Sequence, residues 1–148
     1  MSITEAIAAS NAVASSFTRQ LFEEQWTADR VASFVNERRN ATIATASHAG
    51  QPHAAVAIAA SVGDEIYFTV NPNSVLARNL ADNDRIALSV CDSVHAVMSQ
   101  GRAVKVGAAP DLAELVGELA TATRSGTFTP PGWDGDIFRA NLRRLVAN

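Results

Sequence analysis

The sequence contains a single cysteine, Cys91, and only three histidines, His48, His53 and His95. One cysteine excludes an internal disulfide and a cysteine-based zinc site. No histidine is spaced from another histidine or from a carboxylate as metal ligands usually are, so we expect no metal site. Because Cys91 ends a strand-like run, we expect a buried, inert thiol and no nucleophile there.

Charge is also scarce, at 18% of the residues, and the net charge is −3. The chain therefore lacks the basic excess that nucleic-acid binding requires. It has no apolar run of the roughly 18 to 20 residues that a membrane span needs, and no early Lys or Arg as in a secretion signal. We expect a cytoplasmic protein, with no membrane or nucleic-acid partner. A hydrophobic fraction of 47% in 148 residues is enough for one domain with a substantial core.

Familiar catalytic motifs are absent as well. The sequence has no glycine-rich dinucleotide fingerprint, no phosphate-binding P-loop, no HExxH and no GxSxG. Nothing in the chain supports Ser-His-Asp chemistry. No catalytic residue can therefore be named from motifs.

Hydrophobic periodicity predicts an α+β domain over residues 1–148. Helices are predicted at 3–22, at 28–39 with Thr27 as the cap, at 74–82, from Pro110 onward, and at 136–146. Strands are predicted at 42–46, 53–61, 66–70, 85–92 and 94–107. A mid-strand glycine, Gly101, predicts a bulge. Short turns favour a mainly antiparallel barrel in 41–108, flanked by N-terminal helices in 1–39 and by C-terminal helices and a loop in 110–148.

The stretch from Phe68 to Val90 combines a strand, a polar Asn71-Pro72-Asn73-Ser74 turn, a short helix and a second strand. A turn that leads into a helix N-terminus is a common place to bind an anion, because free backbone N–H groups and the helix dipole point at the ligand. This stretch is the first candidate for a binding site.

Three segments, taken in order, resemble a known family. They are ATIATASHAGQPHAAVAIAA (41–60), EIYFTVNPNSVLARNLADNDRIALSV (65–90) and MSQGRAVKV (98–106). They are similar to the FMN-binding split-barrel proteins related to pyridoxamine 5'-phosphate oxidase, over about residues 28–108. The resemblance implies a mainly antiparallel split β-barrel with flanking helices. It also implies a homodimer with FMN, or alternatively a deazaflavin, between its subunits, which acts as an oxidoreductase on an unidentified small molecule.

The resemblance also implies cofactor-binding residues. Small residues beside the flavin ring leave room for it, a polar group meets the phosphate or ribityl chain, two strand residues lie near the cofactor or the dimer seam, and a C-terminal segment closes the site. These residues are His53, Ala55, Val56, Ala57, Ile58, Thr69, Asn73, Ser74, Leu76, Arg78, Gln100, Arg102, Trp133 and Arg139. From the residues alone, three alternatives stay open: His53 bonded to the backbone, Arg78 solvated on its helix, and Trp133 used for packing.

The sequence departs from the family where the phosphate would bind. Related proteins commonly carry a basic pair after the serine, and this chain has Val75 and Leu76 there. Arg78, one helical turn past Ser74, would compensate in part, and a Leu76→Lys substitution is expected to tighten FMN binding. The departure supports an alternative function, a non-catalytic split-barrel dimer that binds another ligand or has lost flavin. Haem binding is a weaker alternative, because no histidine stands out as an axial ligand.

Overall fold

The computed structural model describes residues 1–15 and 26–148, and in this part of the chain six strands form a closed barrel. The strands are β1 (Asn40–Ala46), β2 (Pro52–Val62), β3 (Glu65–Val70), β4 (Arg85–Cys91), β5 (Ala96–Ala108) and β6 (Asp136–Ala147). The helices are α1 (Ile3–Val13), α2 (Ala28–Arg38), α3 (Val75–Asp82) and α4 (Ala113–Ala122), with a 3-10 turn at Ala109–Asp111. Neighbouring strands are antiparallel in the order β1-β2-β3-β6-β5-β4. The predicted mainly antiparallel barrel with flanking helices is confirmed.

Alternation along the strands places one set of apolar side chains inside the barrel. Ile43, Phe68, Leu88 and Leu142 are each at most 2% exposed. Phe68 stacks on Phe138 of the neighbouring β6, with ring centroids 5.9 Å apart. Burial of such side chains supplies most of the driving force for folding.

The helices complete this core in different ways. Thr27 accepts a hydrogen bond from the Arg30 N–H and caps α2, as predicted. Helices α1 and α2 add buried apolar side chains to the barrel core, and α3 adds Leu76 and Leu80. Helix α4 and the loop after it cover the outer side of β2, β3 and β6 in a second buried cluster that includes Leu119 and Phe128.

The predicted helix at 136–146 is wrong, because this segment is β6, which pairs with both β3 and β5 and closes the barrel. Its apolar spacing resembles that of a helix for a structural reason. Pairing with β5 passes from Gln100–Arg144 to Gly101–Leu142, so Arg143 is an extra, bulged residue. The bulge lets both Leu142 and Leu145, three residues apart, face the core, and this spacing is typical of a helix.

Three smaller expectations differ from the structure in part. The first helix ends at Val13, so 14–15 are not helical, and the remainder of the predicted 3–22 helix lies outside the described residues. The predicted third helix begins later than Pro110, at Ala113 after the 3-10 turn. Cys91 is exposed at the end of β4, so the expected buried thiol is wrong. None of the described helices combines the length and the apolar character needed to cross a bilayer.

Candidate functional site

The outer side of β1, β2, β4 and β5 carries mostly small side chains. One cross-strand row runs Val56, Thr42, Ser89, Met98, and the next runs Ala54, Ala44, Ala87, Gln100. Val56 is 72% exposed and Met98 is 45% exposed. None of the described helices buries this face, which is therefore accessible and carries only uncharged side chains in these two rows.

Beyond β3, the polar turn and the start of α3 form the candidate anion site. The Ser74 hydroxyl accepts a hydrogen bond from the Ala77 N–H at 3.1 Å and donates one to the Asn71 carbonyl oxygen at 2.6 Å. The Asn71 side chain in turn accepts from the Asn73 N–H at 3.0 Å. These bonds fix the entry into α3 and occupy the Ala77 N–H, so the N–H groups of Val75 and Leu76 are the first-turn donors without a partner among the described residues.

The two aliphatic residues at the start of α3 have different environments. Val75 is 39% exposed, whereas Leu76 is 4% exposed and packs in the barrel core. A lysine at position 76 would bury its ammonium group, which is costly, so the reason for expecting Leu76→Lys to tighten FMN binding is removed. Position 75 is the one where an added cation would lie at the surface. Arg78 is exposed and its guanidinium has no hydrogen-bond or ion-pair partner among the described residues.

His53 is the second residue of β2 and pairs with Thr45 of β1. The Thr45 hydroxyl accepts a 3.0 Å hydrogen bond from the Asn79 side chain of α3. The Nδ1 atom of His53 is buried and forms no hydrogen bond with residues 1–15 or 26–148. The backbone bond considered for His53 is therefore not made by this nitrogen. Because a buried nitrogen without a partner is destabilising, the atom is a candidate contact for a ligand.

The remaining β2 and β3 residues of the implied site divide between two sides of the sheet. Ala57 is buried in the barrel core and Ala55 packs against it. Ile58 packs against the second cluster, under α4. Thr69 is half-buried and pairs with Ile137 of β6. Val56 is thus the predicted β2 residue whose side chain is freely exposed.

Gln100 and Arg102 line a groove of about 710 Å³ across β1, β4, β5 and β6. Arg102 forms an ion pair with Asp84. Thr45 and Asn83, the C-cap of α3, also line this groove, so the groove adjoins the His53 and α3 region. The structure therefore places Gln100 and Arg102 near His53 and α3, but in a separate groove.

Trp133 and Arg139 lie in other surroundings. Trp133 packs against the second cluster and lines a separate cleft of about 480 Å³ beside α4. Arg139 pairs with Tyr67 across the β3–β6 ladder. Burial raises the pKa of the nearby Glu65 carboxyl, and the positive charge of Arg139 opposes that rise. The structure therefore does not bring Trp133 or Arg139 to the groove that Gln100 and Arg102 line.

Sequence reasoning did not single out Thr45, Asn79, Arg85 or Arg143 as site residues. The polar link between Thr45 and Asn79 joins positions 34 residues apart, which no local pattern indicates. Arg143 was hidden because its segment was interpreted as a helix. In the described part of the chain, no three His, Cys, Asp or Glu residues are grouped as a metal site.

Comparison with known proteins gives one family and many similar folds. The chain matches the pyridoxamine 5'-phosphate oxidase family over residues 27–131. No curated protein matches the sequence.

Solved structures share the fold at low identity. Rv2991 from Mycobacterium tuberculosis, a conserved hypothetical protein, is 23% identical with a TM-score of 0.65, and the match covers 82% of this chain and 84% of that one. An F420 reductase is 20% identical with a TM-score of 0.61, covering 76% and 93%. HutZ, the haem storage protein of Vibrio cholerae, is 16% identical with a TM-score of 0.60, covering 80% and 90%.

A protein of unknown function from Agrobacterium tumefaciens is longer, and the match spans 55% of its length. At these identities the structures show a common fold and nothing finer. The family match covers β1 to β5 and helices α2 to α4. The chain therefore belongs to the pyridoxamine 5'-phosphate oxidase family of split-barrel proteins.

Proposed function

We propose that this protein is a homodimeric oxidoreductase that binds FMN or a deazaflavin between its subunits and acts on a small molecule. The observation that carries the proposal is the uncovered outer face of β1, β2, β4 and β5, which ends beside a polar strand-turn-helix element. Family membership supports the cofactor class, and the similar F420 reductase supports deazaflavin as an alternative to FMN.

The chemistry of that face supports the proposed dimer. Val56 and Met98 expose apolar side chains within rows of Ala, Ser and Thr, and no charged side chain interrupts the row from Val56 to Met98. Exposed large apolar side chains on an uncharged face are a feature of protein–protein contacts. The occupant we propose is a second copy of the chain, because the low charge fraction and the closed outline of the barrel leave this face as the natural place for a symmetric contact.

The described residues fit a flavin at the edge of such an interface. The Nδ1 atom of His53 needs a partner, the first turn of α3 offers N–H donors for a phosphate, and the small side chains near Val56 leave room for a planar ring. Arg78, which has no ion-pair partner among residues 1–15 and 26–148, adds a positive charge one turn along α3. When bound, the flavin would supply the hydride chemistry, and this chain would supply position and electrostatics.

The test is a titration of the purified protein with FMN, with riboflavin and with a deazaflavin, followed by absorbance and fluorescence quenching. Light scattering measures the mass, and Val56→Glu places a charge at the β2 end of the face. We expect a dimer that binds at least one cofactor, and a Val56→Glu variant that is monomeric and binds it more weakly. A folded wild-type monomer that binds none of the three would refute the proposal.

A second candidate is a split-barrel dimer that binds a different ligand and has no flavin chemistry. It is favoured by the aliphatic Val75 and Leu76, which leave the start of α3 without its own cation. The similar haem storage protein makes haem one ligand to test. A Soret band on titration with haemin, together with no flavin signal, would select this candidate.

A further inference from the structure

The groove across β1, β4, β5 and β6 concentrates positive charge in a chain whose net charge is −3. Arg85, Arg102 and Arg143 all line it. Its volume of about 710 Å³ is within the range of roughly 300 to 1,000 Å³ typical of small-molecule sites. The groove is thus large enough for a metabolite, and its charge is opposite to that of the chain as a whole.

The arrangement of two of these arginines is unfavourable without a ligand. Arg85 of β4 and Arg102 of β5 are direct cross-strand partners, and like charges in that position repel. Asp84 forms an ion pair with Arg102 alone. The guanidinium of Arg85 has no ion-pair partner within residues 1–15 and 26–148. An anion in the groove would relieve this repulsion.

The third arginine reaches the groove because of the bulge in β6. Arg143 is the extra residue between the Gln100–Arg144 and Gly101–Leu142 pairs, and bulges commonly re-aim a side chain. It also lacks an ion-pair partner among the described residues. Two unpaired guanidinium groups and one partly compensated group therefore surround a single groove.

The rest of the lining completes the character of the site. Asn83, Gln100 and Asn141 supply amide groups, whereas Ala44, Ala46 and Ala87 supply a small apolar floor. Ala44, Ala87 and Gln100 also belong to the outer face of the proposed dimer, so the groove adjoins that contact. Arginine is well suited to bidentate binding of phosphate and carboxylate groups. We propose that this groove binds a small molecule that carries at least two anionic groups, phosphate or carboxylate, and that its uncharged part lies on the alanines.

The experiment uses two probes, inorganic pyrophosphate and citrate, with calorimetry at low ionic strength. The double variant Arg85→Gln/Arg143→Gln removes the two unpaired charges. The variant Arg124→Gln is the control, because Arg124 is an exposed arginine outside the groove with no ion-pair partner among the described residues. Circular dichroism establishes that each variant is folded. No flavin is added, so the outcome does not depend on the proposed cofactor.

We expect the wild type and Arg124→Gln to bind at least one probe with equal affinity, and the double variant to bind it at least tenfold more weakly. Binding of pyrophosphate alone would assign the natural ligand to the phosphate class, and binding of citrate alone to the carboxylate class. If the wild type binds neither probe, or if all three proteins bind equally weakly, the groove is not an anion site and the proposal is overturned.

Discussion

Replacing Gly101 with alanine tests the contact between β5 and β6 that shapes the groove. A Cβ atom on Gly101 would lie 2.2 Å from the Asn141 carbonyl oxygen and 2.9 Å from the Leu142 Cα. Carbon–oxygen contacts between strands are ordinarily about 3.3 Å or longer. The two strands would therefore have to separate locally by about 1 Å, and both obstructing atoms belong to the backbone, which cannot rotate aside.

The size of the effect follows from this overlap. Overpacking of a tightly packed site costs about 1 to 3 kcal/mol. The lower backbone entropy of alanine in the unfolded chain offsets about 0.4 to 1 kcal/mol of that. We expect a net loss of about 1 to 2 kcal/mol in the free energy of unfolding. For a domain of this size, that loss corresponds to a fall in Tm of about 2 to 8 °C.

Gly117→Ala is the matched control, since it is the same chemical change at a site with free space. Gly117 lies within α4 and is exposed, and a Cβ atom added there would have no neighbouring atom within 4 Å. Alanine in a helix interior is favoured over glycine by about 0.5 to 1 kcal/mol, so this variant should be more stable than the wild type. Thermal and urea unfolding, followed by circular dichroism, give both values. A Gly101→Ala variant as stable as the wild type would refute the close strand contact.

Two further predictions concern the candidate site and the pH dependence of stability. Val75→Lys should tighten FMN binding about tenfold, because it adds one partly exposed charge-assisted hydrogen bond to the phosphate. Binding of riboflavin, which has no phosphate, should not change. The control is Val94→Lys, at a position 76% exposed, and an equal gain in riboflavin affinity for Val75→Lys would contradict the phosphate placement. Hydrogen bonds from the backbone N–H groups of His95 and Val94, with the Arg38 charge in support, lower the pKa of Asp92 to about 2. The carboxylate therefore stabilises the fold above the unfolded pKa of about 4, and this contribution is lost as the pH falls toward 2. Asp92→Asn should flatten the acid limb of the stability–pH curve in urea unfolding, and an unchanged limb would disprove the contribution.

The strands from β1 to β5 could be predicted because their signals are local. The β2–β3 hairpin is the clearest case: Gly63 and Asp64 both have positive φ, 60° and 64°, as a two-residue type I' turn requires. Thr27 was readable as a cap for the same reason, since capping depends on residues three positions apart. The observed strands begin and end within a few residues of the predicted ones.

The direction of side chains at the site could not be predicted from local signals. Val75 and Leu76 are adjacent and chemically similar, yet one is exposed and the other lies in the core. Local spacing puts Leu76 and Leu80 on one face of α3, but only the packing of α3 shows that this face meets the barrel core. The repulsion between Arg85 and Arg102 likewise depends on a strand register that no local pattern indicates. Tertiary contacts of this kind determine the site, whereas local chemistry determines the elements that carry it.

The bulge at Arg143 explains both the wrong helix prediction and the cationic groove. It interrupts the two-residue period of β6, so Leu142 and Leu145 both face the core at a spacing typical of a helix. It also supplies one more side chain to the outer surface, and that side chain is a guanidinium at the groove. In a regular strand, neighbouring residues that face the core have one residue between them, whereas Leu142 and Leu145 have two. Without the bulge, the strand would therefore have one residue fewer between these leucines, and the groove would lose Arg143. The irregularity that hid β6 in the sequence is therefore the feature that gives the groove its third arginine.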